Sequence, residues 1–227
     1  MQVEIWSDVV CPWCYIGKRR FEEALSRFEG RDAVEVRYMP YQLDPSAPPG
    51  TSMPASEAYA RKFGGPEQAR RIIDNVTSVA AEAGIEFHLD RAIRANTLLA
   101  HRLLWFAEQH DLATQRALKE ALLQAYFTDG EHIGDPEVLV RRAASVGLDR
   151  DEVAAFLDSD AGHAEVMERL ALAHSQGITA VPTYVVNGRW AVPGAQDPDT
   201  FLRVLERMAA VELDEARACA EDGSCEV

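Results

Sequence analysis

The chain has 227 residues and a formal net charge of -14 at pH 7. An acidic balance of this size argues against binding to nucleic-acid phosphates or to anionic lipid surfaces. No apolar run approaches the roughly 18 residues that a membrane span requires. The 47% hydrophobic content supplies a substantial core, so we expect one large domain or one domain with a sizeable insertion.

The N-terminal part predicts a βαβ unit. Residues 2–7 form an extended run, 12–29 carry helical periodicity, and 33–42 contain an alternating strand pattern. A helix that joins two strands in this way makes a right-handed crossover between parallel neighbours. The Pro-rich segment 44–50 then ends regular structure and marks a boundary.

A long helical region follows this boundary. Helical periodicity marks the segments 55–63, 66–83, 96–109, 112–128, 136–146, 150–158 and 161–175. Asn96, Asp135 and Asp149 stand where each can cap the start of a helix. We therefore predict an all-helical domain over residues 44–177.

The strand pattern returns near the C-terminus. Residues 183–186 and 189–192 flank an Asn-Gly pair at 187–188, which is typical of a two-residue hairpin turn. An Asp-Pro pair at 197–198 predicts the start of a last helix, which we expect to end at about Glu212.

The resulting order is β-α-β, helical insertion, β-β-α. This order matches an α/β thioredoxin fold that is interrupted by an all-helical domain. Residues 1–43 and 178–212 would form the thioredoxin-like domain, residues 44–177 the insertion, and residues 213–227 an acidic tail.

A Cys-Pro-Trp-Cys element stands where the first strand leads into the first helix. Cys11 takes the N-cap position and Pro12 the first helical position, where its missing N–H costs nothing. The positive end of the helix dipole points at the Cys11 sulfur and favours its thiolate, which is the reactive species. Cys14, one turn further, can attack a mixed disulfide formed at Cys11. The position of Trp13 between the cysteines directs its ring outward, towards a substrate groove.

Two structural interpretations compete with this redox interpretation. A CxxC can supply half of a zinc or iron–sulfur site, and the chain holds 4 cysteines. Cys219 and Cys225, however, form no second CxxC. A purely structural disulfide between Cys11 and Cys14 would close a ring too small to restrain the unfolded chain much. We therefore expect no metal and no cofactor.

A second constellation precedes the hairpin, where Val181-Pro182 begins a strand. A proline at the start of a strand is ordinarily a feature of sheet edges. In a thioredoxin-like arrangement this proline is cis and lies against the CxxC. The Val181 backbone can then pair with an extended peptide as an added strand. Val181 and Pro182 are therefore the predicted substrate-binding residues, in contact with Cys11.

These motifs together resemble the DsbA family, and specifically its cytoplasmic FrnE-like branch of thiol–disulfide oxidoreductases. The resemblance spans residues 1 to about 210 and is carried by four segments: Cys11–Cys14, Asn96–Leu103, Tyr126-Phe127 with Gly130, and Val181–Gln196. It implies a thioredoxin fold with an inserted helical domain and dithiol–disulfide chemistry at Cys11 and Cys14. The related kappa-class glutathione transferases and 2-hydroxychromene-2-carboxylate isomerases carry serine at the position of Cys11, and this chain departs from them there.

Two further residues have both a structural and a functional interpretation. Asn96 can serve only as a helix cap, but the resemblance places its helix beside the active site. His101 lies on an apolar helix, where a hydrogen-bonded core histidine and a proton shuttle for Cys14 are both open.

The tail cysteines also have two interpretations. Cys219 and Cys225 are either unrelated thiols or an auxiliary disulfide, and FrnE-like proteins can carry an extra C-terminal pair. Neighbouring carboxylates disfavour their thiolates, while a terminal position gives them access to other sulfurs.

The sequence therefore predicts a protein dithiol–disulfide oxidoreductase. Its first strand starts almost at Met1, with no basic segment or apolar h-region before it, which predicts a cytoplasmic protein. The expected partners are protein or small-molecule thiols and disulfides, glutathione among them. A glutathione-dependent isomerase or transferase and a non-catalytic peptide-binding holdase are the alternatives. The sequence does not determine the oligomeric state.

Overall fold

The computed structural model describes residues 1–51 and 53–222, with side chains described as far as Asp214. The strands are β1 (Gln2–Ser7), β2 (Glu35–Pro40), β3 (Thr183–Val186) and β4 (Trp190–Pro193). The helices are α1 (Pro12–Arg27), α2 (Ala55–Phe63), α3 (Pro66–Glu82), α4 (Leu98–His110), α5 (Leu112–Phe127), α6 (Pro136–Ser145), α7 (Arg150–Asp158), α8 (His163–Ser175) and α9 (Pro198–Asp222), with a short 3₁₀ turn at Arg31–Ala33.

The strands of the described residues form a mixed sheet in the order β2-β1-β3-β4. β1 and β2 are parallel, with Val3 beside Val36, as the crossover through α1 requires. β3 is antiparallel to both of its neighbours, and its Tyr184 lies beside Ile5 of β1. Because α2 to α8 lie between β2 and β3 in the chain, the architecture is a thioredoxin fold with an inserted helical domain, as predicted.

The sheet packs on α1 and α9 through three aromatic rings. Phe21 of α1, Tyr184 of β3 and Phe201 of α9 have ring centroids 4.6 to 5.4 Å apart. Each of the three side chains is almost fully buried. Edge-on and tilted rings at this spacing add to the stabilisation from burial. This aromatic cluster therefore fixes α1 and α9 against the sheet.

The helical domain has its own core, and α1 contributes to it as well. Tyr15 of α1 lies 6.0 Å from Phe87 and 6.0 Å from Phe127, and those two rings stack at 4.5 Å. On the same side, Lys18 forms an ion pair with Glu120 of α5 at 2.6 Å. α1 is thus held between the sheet and the insertion.

The local end signals of the helices are largely confirmed. The carboxylates of Asp135 and Asp149 accept hydrogen bonds from the first amides of α6 and α7. The predicted end of the last helix at about Glu212 is wrong, because α9 continues to Asp222. From Leu213 to Asp222 the sequence contains no glycine or proline and half of its residues are helix-forming Ala and Glu, so its acidity did not end the helix. In the described part of the chain, no helix is both long and apolar enough to cross a membrane.

Gln115 of α5 joins the insertion to the edge of the sheet. β2 is an edge strand, so its outer backbone groups need partners from elsewhere. The Gln115 amide accepts from the Tyr38 N–H at 2.8 Å and donates to the Tyr38 carbonyl at 3.0 Å. Gln115 is fully buried, so this side chain replaces a neighbouring strand for one residue of β2.

We predict that Gln115→Leu lowers the free energy of unfolding by about 2–4 kcal/mol. The substitution leaves the N–H and the carbonyl of Tyr38 without their hydrogen-bond partner, while the size of the side chain changes little. Chemical denaturation monitored by circular dichroism measures the change. Gln124→Leu is the matched control, since Gln124 is exposed on the same helix. An equal effect of the two substitutions would contradict the assigned role.

Candidate active site

The two cysteines of the CxxC lie at the start of α1, with Cys11 at the N-cap in an extended conformation and Pro12 in the first turn. The first turn closes on the Cys11 carbonyl, which accepts from the N–H of Cys14 at 3.0 Å. Both cysteines are free thiols and only 3% exposed. Their side chains approach to 3.3 Å, well beyond the roughly 2.05 Å of a disulfide bond. The site is therefore a reduced dithiol whose sulfurs need little movement to bond.

The environment of Cys14 keeps it protonated. Burial raises the pKa of Cys14 well above its usual range, and its hydrogen bond to Cys11 and the charge of Cys11 raise it further. The positive charge of Lys119 and the amide of Asp8 act in the opposite direction. Cys14 is thus a thiol held in reserve behind Cys11.

The loop before β3 lies against Cys11. The peptide bond between Val181 and Pro182 is cis. The Cys11 thiol donates to the Val181 carbonyl at 3.6 Å, and Pro182 is buried. The Pro182 carbonyl accepts from the N–H of Gly194 at 2.8 Å, which ties the loop to the end of β4. The two predicted constellations therefore meet in space, 170 residues apart in sequence.

A cavity of about 690 Å³ opens beside Cys11. Its walls come from α1, α2, α3 and the loops that flank the helical domain, and Val181 closes one side. Trp13 is 39% exposed and contributes an apolar wall, as its position between the cysteines predicted. Tyr59 of α2 lines the same cavity; burial raises its pKa, and the charge of Cys11 raises it further.

The charged groups on the cavity wall are mostly positive. They are Arg61, Lys62 and Arg94, against the single carboxylate of Asp44. Arg94 is paired with Asp44 at 2.6 Å, and Arg61 with Glu57 of its own helix at 2.5 Å. With these two ion pairs counted, the wall keeps an excess of one positive charge, on a chain whose net charge is -14.

Asp8 and His101 lie together behind the dithiol. Asp8 is fully buried, and its carboxylate accepts from the amides of Val9 and Leu43, each at 2.8 Å. His101 Nε2 lies 3.2 Å from the same carboxylate and 3.0 Å from the Tyr41 carbonyl. These contacts favour the interpretation of His101 as a hydrogen-bonded core histidine.

Asn96 serves the start of α4. Its side-chain oxygen accepts from the Leu98 amide at 3.0 Å, and its amide donates to the Ala47 carbonyl at 2.9 Å. Both contacts are structural, and both lie in the segment that frames the cavity. The remaining candidates, Cys219 and Cys225, lie outside the described side chains.

Sequence reasoning missed Lys119 of α5. It is 1% exposed, and its Nζ has no hydrogen-bond partner among the described residues. The nitrogen lies 5.5 Å from the centre of the Tyr38 ring. Burial lowers the pKa of Lys119 to about 8, while the charges of Cys14, Asp8 and Cys11 oppose that shift. The available signal was its position in the buried stripe of α5, beside Gln115 and Leu122, where a charged residue is out of place.

The structure also shows why α1 can approach the proline loop so closely. A Cβ atom on Gly17 would lie 2.7 Å from the Tyr184 hydroxyl, 3.1 Å from the Pro182 ring and 3.2 Å from Ala195. The absence of a side chain at Gly17 therefore allows the helix that carries the cysteines to contact the loop. Among the described residues, the Tyr184 hydroxyl is buried without a hydrogen-bond partner.

In the described part of the chain, no group of three or more His, Cys, Asp or Glu side chains could hold a metal ion.

The fold and the free dithiol at a helix N-terminus define the class of the protein as thioredoxin-like. Over residues 2–206 the chain matches the family described as DSBA-like thioredoxin domain. The chain belongs to this family.

Individual relatives agree with this assignment. The chain is 30% identical over 209 residues to the uncharacterized protein YwbO of Bacillus subtilis (strain 168), covering 90% of this chain and 96% of that protein. A probable DsbA oxidoreductase from Streptomyces coelicolor superimposes with a TM-score of 0.85 at 37% identity, over 91% of this chain and 89% of that one. The cytosolic disulfide reductase DsbM from Pseudomonas aeruginosa, solved with GSH, has a TM-score of 0.66 at 18% identity, over 92% and 100%, which shows a likeness of fold.

We predict that Gly17→Ala destabilises the protein by about 1–3 kcal/mol, because the added methyl forces α1 away from Tyr184 and Pro182. In the same variant we expect slower disulfide reduction, since Cys11 moves with α1. Tyr184→Phe removes the nearest atom and an unpartnered hydroxyl, so alone it should change stability by less than about 1 kcal/mol.

Thermal and chemical unfolding of the parent protein, the two single variants and the double variant measures the coupling between the two positions. Gly17→Ala should cost less when it is combined with Tyr184→Phe, with a remainder from Pro182 and Ala195. Equal costs with and without Tyr184→Phe would show that the close approach at Tyr184 is not what Gly17 allows.

Proposed function

We propose that this protein is a cytoplasmic thiol–disulfide oxidoreductase of the FrnE-like branch, which reduces or exchanges substrate disulfides through Cys11 and Cys14. The observation that carries the proposal is the pairing of unlike thiols at the start of α1. Cys11 caps the helix and borders an open cavity, whereas the pKa of Cys14 is raised by burial. Such a pair separates the attacking sulfur from the resolving one.

The reaction has two thiol–disulfide exchanges. The Cys11 thiolate attacks a substrate disulfide, forms a mixed disulfide and releases one substrate thiolate. Cys14 then attacks Cys11 in that mixed disulfide, which releases the second thiolate and leaves a bond between Cys11 and Cys14. The dithiol supplies both electrons, and a thiol of the cell restores it. The approach of the two side chains to 3.3 Å supports the second step.

Val181 and Pro182 are the proposed substrate-binding residues. The Val181 carbonyl, which accepts the Cys11 thiol in this structure, becomes free for a substrate amide once Cys11 has reacted. A disulfide-bearing segment could then add to the loop in an extended conformation. Trp13 would cover the apolar side of the substrate from across the cysteine.

The cavity beside Cys11 supports small-molecule substrates in addition to proteins. Its volume of about 690 Å³ lies within the roughly 300–1,000 Å³ of ligand sites. Its positive side chains suit a disulfide that carries carboxylates, and glutathione is one such thiol. The solved structure of DsbM with GSH, a protein of the same fold, agrees with this choice.

The same cavity is the observation that favours the second candidate, a glutathione-dependent isomerase or transferase. In that reaction Cys11 would only activate a bound thiol, so no disulfide would form on the protein. A reaction that survives Cys11→Ser would therefore identify this candidate.

We predict that limiting iodoacetamide near neutral pH alkylates Cys11 before Cys14 in the reduced protein, because Cys11 borders the cavity and the raised pKa of Cys14 keeps Cys14 protonated. Peptide mapping by mass spectrometry measures the order. Cys11→Ser should lose insulin-disulfide reduction, and Cys14→Ser should accumulate a mixed disulfide that Cys11→Ser cannot form. Alkylation of Cys14 first would reverse the two roles.

We also propose that Cys219 and Cys225 form an auxiliary disulfide that relays electrons to Cys14 and Cys11. Deletion of residues 214–227 should leave the protein folded, because it keeps the buried residues Phe201, Leu205 and Met208 of α9 and Glu212, whose carboxylate accepts from Asn187 at 2.6 Å. We expect slower turnover with insulin but not its loss.

The double variant Cys219→Ser/Cys225→Ser separates the thiols from the helix that carries them and should reproduce the effect of the deletion. Complete loss of turnover in the truncated protein, with Cys11 still reactive to iodoacetamide, would show that the tail is essential and that this ranking of the two pairs is wrong.

A further inference from the structure

The cavity beside Cys11 is bordered by apolar side chains that the fold leaves uncovered. Among the described residues, seven large apolar side chains are exposed, and three of them line this cavity. These three are Trp13 at 39%, Leu43 at 36% and Phe63 at 39%. Apolar side chains exposed singly need no explanation, whereas a group of them around one cavity marks a binding surface. The cavity is therefore suited to an apolar ligand next to the reactive sulfur.

α2 presents one of its faces to this cavity. Its lining residues include Ala55, Ala58, Tyr59 and Lys62, whose spacing of three, one and three residues is that of a single helix face. The ring of Tyr59 lies 5.6 Å from the ring of Phe63, which also lines the cavity. The two small alanines leave space in front of the helix, and the two rings supply an aromatic surface beside that space. A flat ring of a ligand would pack well there.

Two tyrosine hydroxyls on the wall have no hydrogen-bond partner in the protein. Tyr59 of α2 and Tyr126 of α5 line the cavity, and neither side chain makes a hydrogen bond within the described residues. Tyr126 is only 3% exposed, and a buried hydroxyl ordinarily has a partner. A ligand in the cavity would supply that partner.

Lys62 is the lining cation that no carboxylate neutralises. Arg94 is paired with Asp44 at 2.6 Å, and Arg61 with Glu57 at 2.5 Å. Lys62 has no ion pair among the described residues. The excess positive charge of the wall is therefore carried by a single ammonium group, which is available to an anionic ligand.

The Lys62 ammonium lies directly beside the aromatic surface. Its Nζ is 5.7 Å from the centre of the Phe63 ring. A ligand ring packed on Tyr59 and Phe63 would thus have its edge near the ammonium. A carboxylate on that edge would form an ion pair with Lys62 while the ring stays on the apolar wall.

We propose that this cavity binds small aromatic disulfides, that the half of the disulfide held in the cavity carries one carboxylate, and that Lys62 binds this carboxylate and sets the specificity. The inference rests on the proposed thiol–disulfide exchange, for which it names the substrate class. Cys11 and Lys62 line the same cavity, so one half of the substrate can contact both.

The same wall disfavours a substrate with many polar groups. Glutathione carries two peptide groups and an ammonium, and an apolar wall leaves such groups without hydrogen-bond partners. The carboxylate on the wall, Asp44, already accepts from Arg94 and from the Ser46 hydroxyl. Glutathione is therefore the weaker ligand of this cavity, while it remains a thiol that can restore the dithiol.

The kinetic test compares two aromatic probes, 4,4′-dithiodibenzoate and the uncharged 4,4′-dithiodipyridine. Lys62→Gln should raise the KM for the dibenzoate about fivefold, as expected for loss of a partly exposed ion pair, and should leave kcat unchanged. The KM for the dipyridine should not change. Comparing parent and variant with the same probe cancels the intrinsic reactivity of each disulfide.

Two further variants control this comparison. Lys62→Arg keeps the charge and should restore the KM for the dibenzoate. Arg70→Gln removes one positive charge from an exposed position on α3 that does not line the cavity, so it should have no effect. An equal change of KM for both probes in Lys62→Gln, or a change for neither, would overturn the role of Lys62.

The preference for a ring is tested with 3,3′-dithiodipropionate, which carries its carboxylates on an aliphatic body, and with glutathione disulfide. Each kcat/KM is divided by the rate constant of the same disulfide with dithiothreitol. The corrected value should be about tenfold higher for the dibenzoate than for the dipropionate, and lowest for glutathione disulfide. Phe63→Ala should remove most of the advantage of the ring. Equal or reversed corrected values would overturn the proposed substrate class.

A binding measurement separates this proposal from the proposed function. The thioether 4-(methylthio)benzoate has the ring, the sulfur and the carboxylate but cannot exchange with Cys11, and 4-(methylthio)benzamide lacks the charge. In isothermal titration calorimetry the benzoate should bind about fivefold more tightly than the amide, and Lys62→Gln should abolish the difference. Equal affinities in the parent protein would overturn the proposal. The expected preference in a protein that reduces no disulfide would instead refute the proposed function and leave the ligand class standing.

Discussion

The close contact between α1 and the proline loop is the constraint on which the site depends. Gly17 leaves room for Tyr184, Pro182 and Ala195 to lie directly against the helix. Six residues earlier, at the N-cap of the same helix, that approach brings the Cys11 sulfur to the Val181 carbonyl at 3.6 Å. A side chain at Gly17 would widen this gap and separate the sulfur from the loop that borders it. The site therefore depends on backbone packing before it depends on any catalytic group.

Because α1 is packed on both sides, the polar groups around its start are buried away from water. Sheet and hairpin pack on one face, and α5 packs on the other through Tyr15 and Lys18. Water is excluded from the buried dithiol, so the charge of Lys119 acts on Cys14 through a low dielectric. The same burial that strengthens these interactions also makes them costly for stability. Among the described residues, the Lys119 amine and the Tyr184 hydroxyl are buried without a hydrogen-bond partner.

The charge of the protein is divided between its surface and the site. The chain as a whole is strongly acidic, yet the cavity next to Cys11 carries three cations and one carboxylate. Because Arg94 is paired with Asp44 and Arg61 with Glu57, the cavity keeps an excess of one positive charge, which would suit the anionic substrates proposed above. The apolar Trp13 and Tyr59 on the same wall would hold the uncharged part of such a substrate. The insertion supplies most of this wall, so the helical domain adds specificity to a fold whose chemistry lies at α1.

Several features were determined by the sequence alone because their signals are local. Cys11 before Pro12 predicts a capped helix start, an Asn-Gly pair predicts a hairpin, and Asp135 and Asp149 predict the first turns of α6 and α7. Each of these needs only a few neighbouring residues. The end of α9 was predicted wrongly because the local sequence carries no stop signal there. Acidic residues do not end a helix, and no glycine or proline occurs from Leu213 to Asp222.

The tertiary structure decided the features that join distant segments. The apolar stripe of α5 indicates that Lys119 is buried, but only the packing of α5 shows that its amine lies over the Tyr38 ring. Asp8 likewise cannot be oriented until Leu43 and His101 reach it. Gln115 gains its role only from the free edge of β2. In each case the partners lie from 35 to more than 90 residues away in sequence, as with Asp8 and Leu43 or Asp8 and His101. No local pattern encodes such contacts, because they follow from the packing of whole elements, and the chemistry of the dithiol is set by those contacts.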